Sequence, residues 1–86
     1  MKLLFTEKGW AEYVHWQDHD AKIVTRINAL LKECSRTPFS GIGKPEPLRD
    51  NLAGWWSRRI TEEHRLVYRV ADDNLIIAQC RFHYRR

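Results

Sequence analysis

Cysteine is scarce in this sequence: Cys34 and Cys80 are the only two, and each stands alone inside an apolar pattern. Two isolated cysteines exclude a disulfide framework and a cysteine-based zinc cluster, and both read as buried thiols in a reducing compartment. No apolar run approaches the roughly 18 residues of a membrane span. The apolar part of the leading MKLLFTEKGW is too short for a secretory signal. A cytoplasmic protein with no membrane partner is therefore expected. Internal repeats, low-complexity tracts and linker-like stretches are also missing. With 86 residues the chain has room for one modest core. A domain of that size buries only about 60 to 65% of its unfolded surface, so a single domain over residues 1–86 is expected.

Charge is present in quantity and is unevenly placed. The formal net charge is +4, with six Lys/Arg against five acids in residues 1–40 and nine against six in 41–86. Moderate basicity favours a polyanionic partner such as nucleic acid.

Hydrophobic spacing divides the chain into a helical first half and a β-rich second half. KLLFT reads as a short strand, and Thr6 can cap a helix over about 7–18 because its hydroxyl accepts from orphan N–H groups. Trp10, Tyr13, Val14 and Gln17 follow the i, i+3, i+4, i+7 rule, which predicts Trp10 in the core and Trp16 at its rim. A second helix over about 20–35, capped by Asp20, carries Ile23, Ile27, Leu30, Leu31 and Cys34 along one face. The pair should form a hairpin on a sheet, an α+β arrangement of two N-terminal helices on a small antiparallel sheet. Gly41, Gly43, Pro45 and Pro47 make 37–48 irregular.

After that loop the period changes to two. In WSRRI, alternation groups Trp56, Arg58 and Ile60 against Ser57 and Arg59. In HRLVYRV it groups Leu66, Tyr68 and Val70, and in LIIAQCRFHY it groups Ile76, Ala78, Cys80, Phe82 and Tyr84. With the apolar parities on the helices, Arg59, Arg65, Arg69, Arg81 and His83 share the uncovered face. A single bulge would reverse a parity. TEEH and ADDN supply the turns.

A face with convergent arginines, a histidine and nearby tryptophans suits a phosphate backbone with bases stacked at the rim. A merely solvated charged face is the plainer alternative. Cleaving RNA through its own 2′-hydroxyl needs a base on that hydroxyl, a cation at the phosphoryl oxygens and an acid at the departing 5′-oxygen. A histidine, with an ordinary pKa of about 6.5, suits the acid, and a glutamate of about 4.3 suits the base. Glu46, the arginines and His83 are the residues available for these roles, with no metal or cofactor required. Pro45 and Pro47 stiffen the backbone on either side of Glu46. The competing reading is a loop carboxylate with no task.

GKPEPLR, GWWSRRITEEHRLVYRV and the terminal CRFHY, together with KIVTRINALLKECSRTPF, occur in order over nearly the whole chain. In these motifs the sequence resembles the YoeB/Txe toxins of the RelE superfamily of bacterial toxin–antitoxin systems. The resemblance implies a microbial-RNase-like fold of two helices on an antiparallel sheet. It also implies a ribosome-dependent endoribonuclease, an mRNA interferase that cuts mRNA in the A site of the 70S ribosome, leaving 2′,3′-cyclic phosphate and 5′-hydroxyl ends and inhibiting translation. Its implied partners are a neutralising YefM-like antitoxin, operator DNA reached through the toxin–antitoxin complex, and a second copy in a homodimer.

By motif, the resemblance makes Glu46 of KPEP the general base, His83 of FHY the general acid and Arg65 of EEHR the stabiliser of phosphate charge. Arg59 of SRR becomes a second phosphate contact, and Tyr84 positions the substrate or the acid. Lys44, Arg49 and Arg81 complete the implied RNA-binding set, Arg49 standing where relatives commonly have lysine. Arg85 and Arg86 follow the HY at which relatives often stop.

His15 and His19 are four apart on a helix, but no carboxylate completes an HExxH pattern, so they read as a solvated face. His64 reads as a turn residue with no catalytic task. Trp55 and Trp56 have opposite parities, so only one can be deeply buried. Two other functional classes stay open on residues alone: a non-catalytic ribosome- or nucleic-acid-binding module, which has no need of both Glu46 and His83, and a peptide-binding interaction domain.

Overall fold

Asp20 closes one helix and opens the next. Its extended backbone (φ −155°, ψ 97°) lets its N–H donate to Trp16 O at the end of α1 (Glu7–His19). Its carboxylate accepts from the N–H groups of Lys22 and Ile23 at the start of α2 (Ala21–Arg36). One residue thus serves as both C-cap and N-cap, which makes the helical hairpin sharp. Thr6 caps α1 as expected, accepting from Gly9 N at 3.0 Å. The structure is a computed structural model and describes residues 1–83.

The strands are β1 (Lys2–Phe5), β2 (Glu46–Pro47), β3 (Trp56–Arg59), β4 (Arg65–Ala71) and β5 (Asn74–Gln79), and they form one sheet in the order β1-β5-β4-β3-β2. The fold is α+β, as expected. The sheet is antiparallel except at β1, which runs parallel to β5 because α1 and α2 intervene before the chain returns. The face of α2 read from its spacing is the one buried: Ile27, Leu30, Leu31 and Cys34 pack with Leu66, Tyr68, Leu75 and Ile77.

Two expectations are corrected. Trp16, not Trp10, enters the core: Trp16 is buried and donates from its indole N–H to Cys80 O at 2.8 Å, whereas Trp10 is half exposed. The reason is Gly9. A Cβ there would lie 2.5 Å from Ile77 O, so glycine lets α1 lie directly on β5, and the inward face runs through Gly9, Glu12 and Trp16. The parity of β5 is also reversed over its first part, where Leu75 and Ile77 are fully buried in place of Ile76 and Ala78. Tyr68 pairs with Ile77 and Val67 with Gln79, so Ala78 is an extra residue, a bulge that restores Cys80 to the core.

Arg58 is fully buried on the helix-facing parity. Its guanidinium donates to the carbonyls of Thr37, Ser40 and Ile42 and to the Tyr68 hydroxyl, which in turn donates to Pro38 O. A buried cation is costly unless its donors are satisfied, and here they stitch the irregular loop after α2 onto the sheet. Arg59 N, donating to Gly43 O at 2.7 Å, continues the stitching to the residue before Lys44.

Candidate functional site

The site lies on the sheet face away from the helices, at its β2 edge. Strand β2 is a two-residue edge strand, Glu46 opposite Ser57 and Pro47 opposite Trp56, a place where proline is tolerated because its nitrogen, which carries no hydrogen, can face the open edge. The register then runs from Ser57 to Val67 and from Val67 to Gln79, while Arg59 stands opposite Arg65. Because side chains alternate, Glu46, Ser57, Arg59 and Arg65 all project from one face.

Lys44, Glu46, Ser57, Arg59, Arg65 and His83 line one cavity of about 130 Å³. Three cations, one carboxylate and one imidazole share it, which concentrates positive potential in a small concave space. Arg65 is buried, and its Nη1 donates to the carbonyls of Thr61, Glu62 and His64 at 2.7, 3.0 and 3.2 Å. Those three turn carbonyls anchor Nη1 of this cavity-lining residue. Lys44 enters from a left-handed backbone position (φ 52°) directly after Gly43.

His83 is delivered by the segment beyond β5. Phe82, the residue before it, has φ 63°. The Phe82 carbonyl accepts from Arg65 N at 3.0 Å and from Gln79 Nε2 at 3.3 Å, and its N–H donates to His64 Nδ1 at 2.7 Å.

Of the residues assigned to the site from sequence, Glu46, Lys44, Arg59, Arg65 and His83 are brought together. Arg49 is exposed outside the cavity, preceding the short 3-10 turn Asp50–Leu52. Arg81 departs from the expected common face: strand pairing ends at Gln79, and the Arg81 guanidinium lies over the rings of Phe82 and Trp16 at 4.5 and 5.9 Å. Its charge contributes to holding the nearby His15 imidazole below its ordinary pKa, after the larger effect of desolvation. Tyr84, Arg85 and Arg86 lie outside the described residues. Arg69, on the open face, packs its guanidinium 5.5 Å from the Trp55 ring.

Three residues escaped sequence reasoning. Ser57, on the open-face parity, was not singled out as a site residue. Arg58, an arginine at an apolar parity, was the signal for a buried tether. His64 gave no signal, because the contact it makes is with the Phe82 N–H, 18 residues away.

Comparison with known proteins gives a consistent result. A family profile described as "YoeB-like toxin of bacterial type II toxin-antitoxin system" matches residues 5–84. The chain is 62% identical over 84 residues to Toxin YoeB of Escherichia coli (strain K12), covering 98% of this chain and 100% of that one. Among solved structures it resembles the YoeB dimer from Staphylococcus aureus, with TM-score 0.91, 46% identity and 98% coverage of both chains. It likewise resembles the YoeB-YefM complex from the same organism, with TM-score 0.90, 45% identity and 98% coverage of both chains.

Proposed function

This chain belongs to the YoeB-like toxins of bacterial type II toxin–antitoxin systems, within the RelE superfamily, and from that premise we propose that it is a metal-independent endoribonuclease acting on mRNA in the ribosomal A site. The observation that carries the reading is the single cavity in which a carboxylate, three cations and an imidazole meet. A binding module would use the cations alone.

In the proposed reaction Glu46 takes the proton of the 2′-hydroxyl as its oxygen attacks phosphorus. Arg65 and Arg59 carry the charge that grows on the non-bridging oxygens, assisted by Lys44. The bond from phosphorus to the 5′-oxygen breaks, and His83 gives its proton to that oxygen. The products are a 2′,3′-cyclic phosphate upstream and a 5′-hydroxyl downstream. Anchoring of the Arg65 Nη1 atom supports the assignment, since a cation held in place before the reaction needs no reorganisation when charge develops. Tyr84 is assigned to positioning of the substrate or the acid. Arg49, exposed beyond the cavity, is assigned to the RNA backbone. Arg81 is assigned to the outer RNA path, its aromatic supports leaving it a peripheral role.

The proposed partners are the ribosome with its mRNA, a YefM-like antitoxin, operator DNA bound through the antitoxin complex, and a second copy in a homodimer, all in the cytoplasm. The S. aureus dimer and YoeB-YefM complex support the antitoxin and homodimer assignments.

Mapping 5′ ends of RNA from translating ribosomes, with and without the protein, tests the reading. New ends clustered within the A-site codon and bearing 5′-hydroxyls are expected. Ribosome binding without new ends, or ends bearing 5′-phosphates, would overturn it.

A further inference from the structure

We propose that His64 is a positioning residue for His83, its Nδ1 holding the Phe82 amide and so fixing the turn that delivers the His83 imidazole to the cavity. The inference rests on the reading of His83 as the general acid.

Phe82 sits at φ 63°, a left-handed conformation that a residue with a bulky side chain adopts only where its surroundings impose it. Among the described residues, three hydrogen bonds hold it there. The Phe82 N–H donates to His64 Nδ1 at 2.7 Å, its carbonyl accepts from Arg65 N at 3.0 Å, and Gln79 Nε2 reaches the carbonyls of Arg81 and Phe82. Residues 64 and 65 therefore grip the peptide groups on both sides of Phe82. The same Arg65 supplies the guanidinium in the cavity wall, so this grip ties the proposed acid to the proposed phosphate contact.

His64 is itself held firmly enough to act as a template. It is buried, its ring meets Trp16 edge-on at 4.8 Å, and Nε2 faces Glu63 at 3.6 Å. Its N–H donates to Thr61 Oγ1, and its carbonyl accepts from Ile60 N, Thr61 N and Arg65 Nη1. An Nδ1 that accepts from an amide carries no proton, which places the ring hydrogen of the neutral imidazole on Nε2. What Phe82 requires at this point is a lone pair, and among small side chains Asn places its Oδ1 close to where Nδ1 stands. Leu offers similar bulk without a lone pair.

The test uses the full chain on translating ribosomes, comparing His64→Leu, His64→Asn, His83→Gln and the double variant His64→Leu/His83→Gln. His64→Leu should lower the single-turnover cleavage rate about 10- to 100-fold, since small misplacement of a reacting group costs on that order. Ribosome affinity should stay within about twofold, and His64→Asn should recover most of the lost rate. If His64 acts through His83, the double variant is no slower than His83→Gln alone. Hydrogen exchange of the Phe82 amide reads the contact without catalysis: it should be protected in the wild type and in His64→Asn, and exposed in His64→Leu. Wild-type cleavage by His64→Leu beside a slow His83→Gln would overturn this inference alone. So would an equal slowing by His64→Leu in the wild-type and His83→Gln backgrounds, which would mark a purely structural role. A His83→Gln variant as fast as the wild type would instead overturn the reading of His83 on which the inference rests.

Discussion

Arg59 and Arg65 stand directly opposite each other across the β3–β4 ladder, two like charges at a position where opposite or neutral pairs are favoured. Like charges facing across a sheet are destabilising, and an anion between them removes the repulsion. Sulfate or phosphate should therefore raise the thermal midpoint of the wild type by more than it raises that of Arg59→Gln. Equal shifts in differential scanning calorimetry would show that no anion is held between the two guanidinium groups.

The same two arginines should separate binding from chemistry. Arg65 is buried and anchored to three carbonyls, whereas Arg59 is exposed. Arg65→Ala should lower the cleavage rate on the ribosome far more than it lowers ribosome affinity, because its charge is wanted chiefly as negative charge develops in the transition state. Quench-flow rates read beside equilibrium binding would check this, and parallel losses in both would contradict it.

The legible and illegible parts of this sequence differ for physical reasons. The buried face of α2 was readable because Ile27, Leu30, Leu31 and Cys34 repeat at the helical period. The inward face of α1 was not, because its contact with β5 depends on Gly9, which has no side chain to register in a hydrophobic pattern. Alternation placed Arg59 and Arg65 on one open face correctly. It failed on Leu75 and Ile77 because one inserted residue, Ala78, inverts a period-two pattern without altering composition. Family motifs named Glu46, Arg65 and His83, and alternation set Arg58 at an apolar parity, but neither could reveal which loop carbonyls Arg58 holds or that His64 holds the residue before His83.

Leu30 is fully buried beneath the sheet, so Leu30→Ala should cost about 2 to 5 kcal/mol of stability. Arg58→Ala should also destabilise, by a different route: the Thr37, Ser40 and Ile42 carbonyls lose their shared donor, and each buried acceptor left unsatisfied costs about 1 to 3 kcal/mol. Urea unfolding monitored by tryptophan fluorescence distinguishes either from a neutral change.

Alkaline pH should destabilise the fold. Burial pushes the Cys80 thiol from 9.0 up to about 12 and the Tyr68 hydroxyl from 10.0 up to about 12, and it raises Cys34 as well. Above about pH 9 the unfolded chain loses these protons first, so the native state binds more protons than the unfolded one and stability falls with rising pH. The loss should run from about pH 9 to pH 12 and be shallower in Cys80→Ala. Chemical denaturation at stepped pH reads the slope directly, and a flat profile through this window would contradict it.

Glu46 and His83 are proposed to act at opposite ends of one displacement, and leaving-group chemistry can separate them. Glu46→Gln and His83→Gln each remove a proton-transfer group while keeping comparable bulk, so each should slow cleavage by roughly 10² to 10⁴-fold with ribosome affinity retained. Their double variant should be less impaired than the product of the two single losses, because groups acting on one transition state are not additive. In a substrate whose 5′-bridging oxygen is replaced by sulfur, the leaving thiolate departs without protonation. That substrate should restore the rate of His83→Gln and leave Glu46→Gln slow, because the 2′-hydroxyl still needs its base. Rescue of Glu46→Gln with no rescue of His83→Gln would exchange the two roles. Rescue of neither would show that departure of the 5′-oxygen is not where His83 acts.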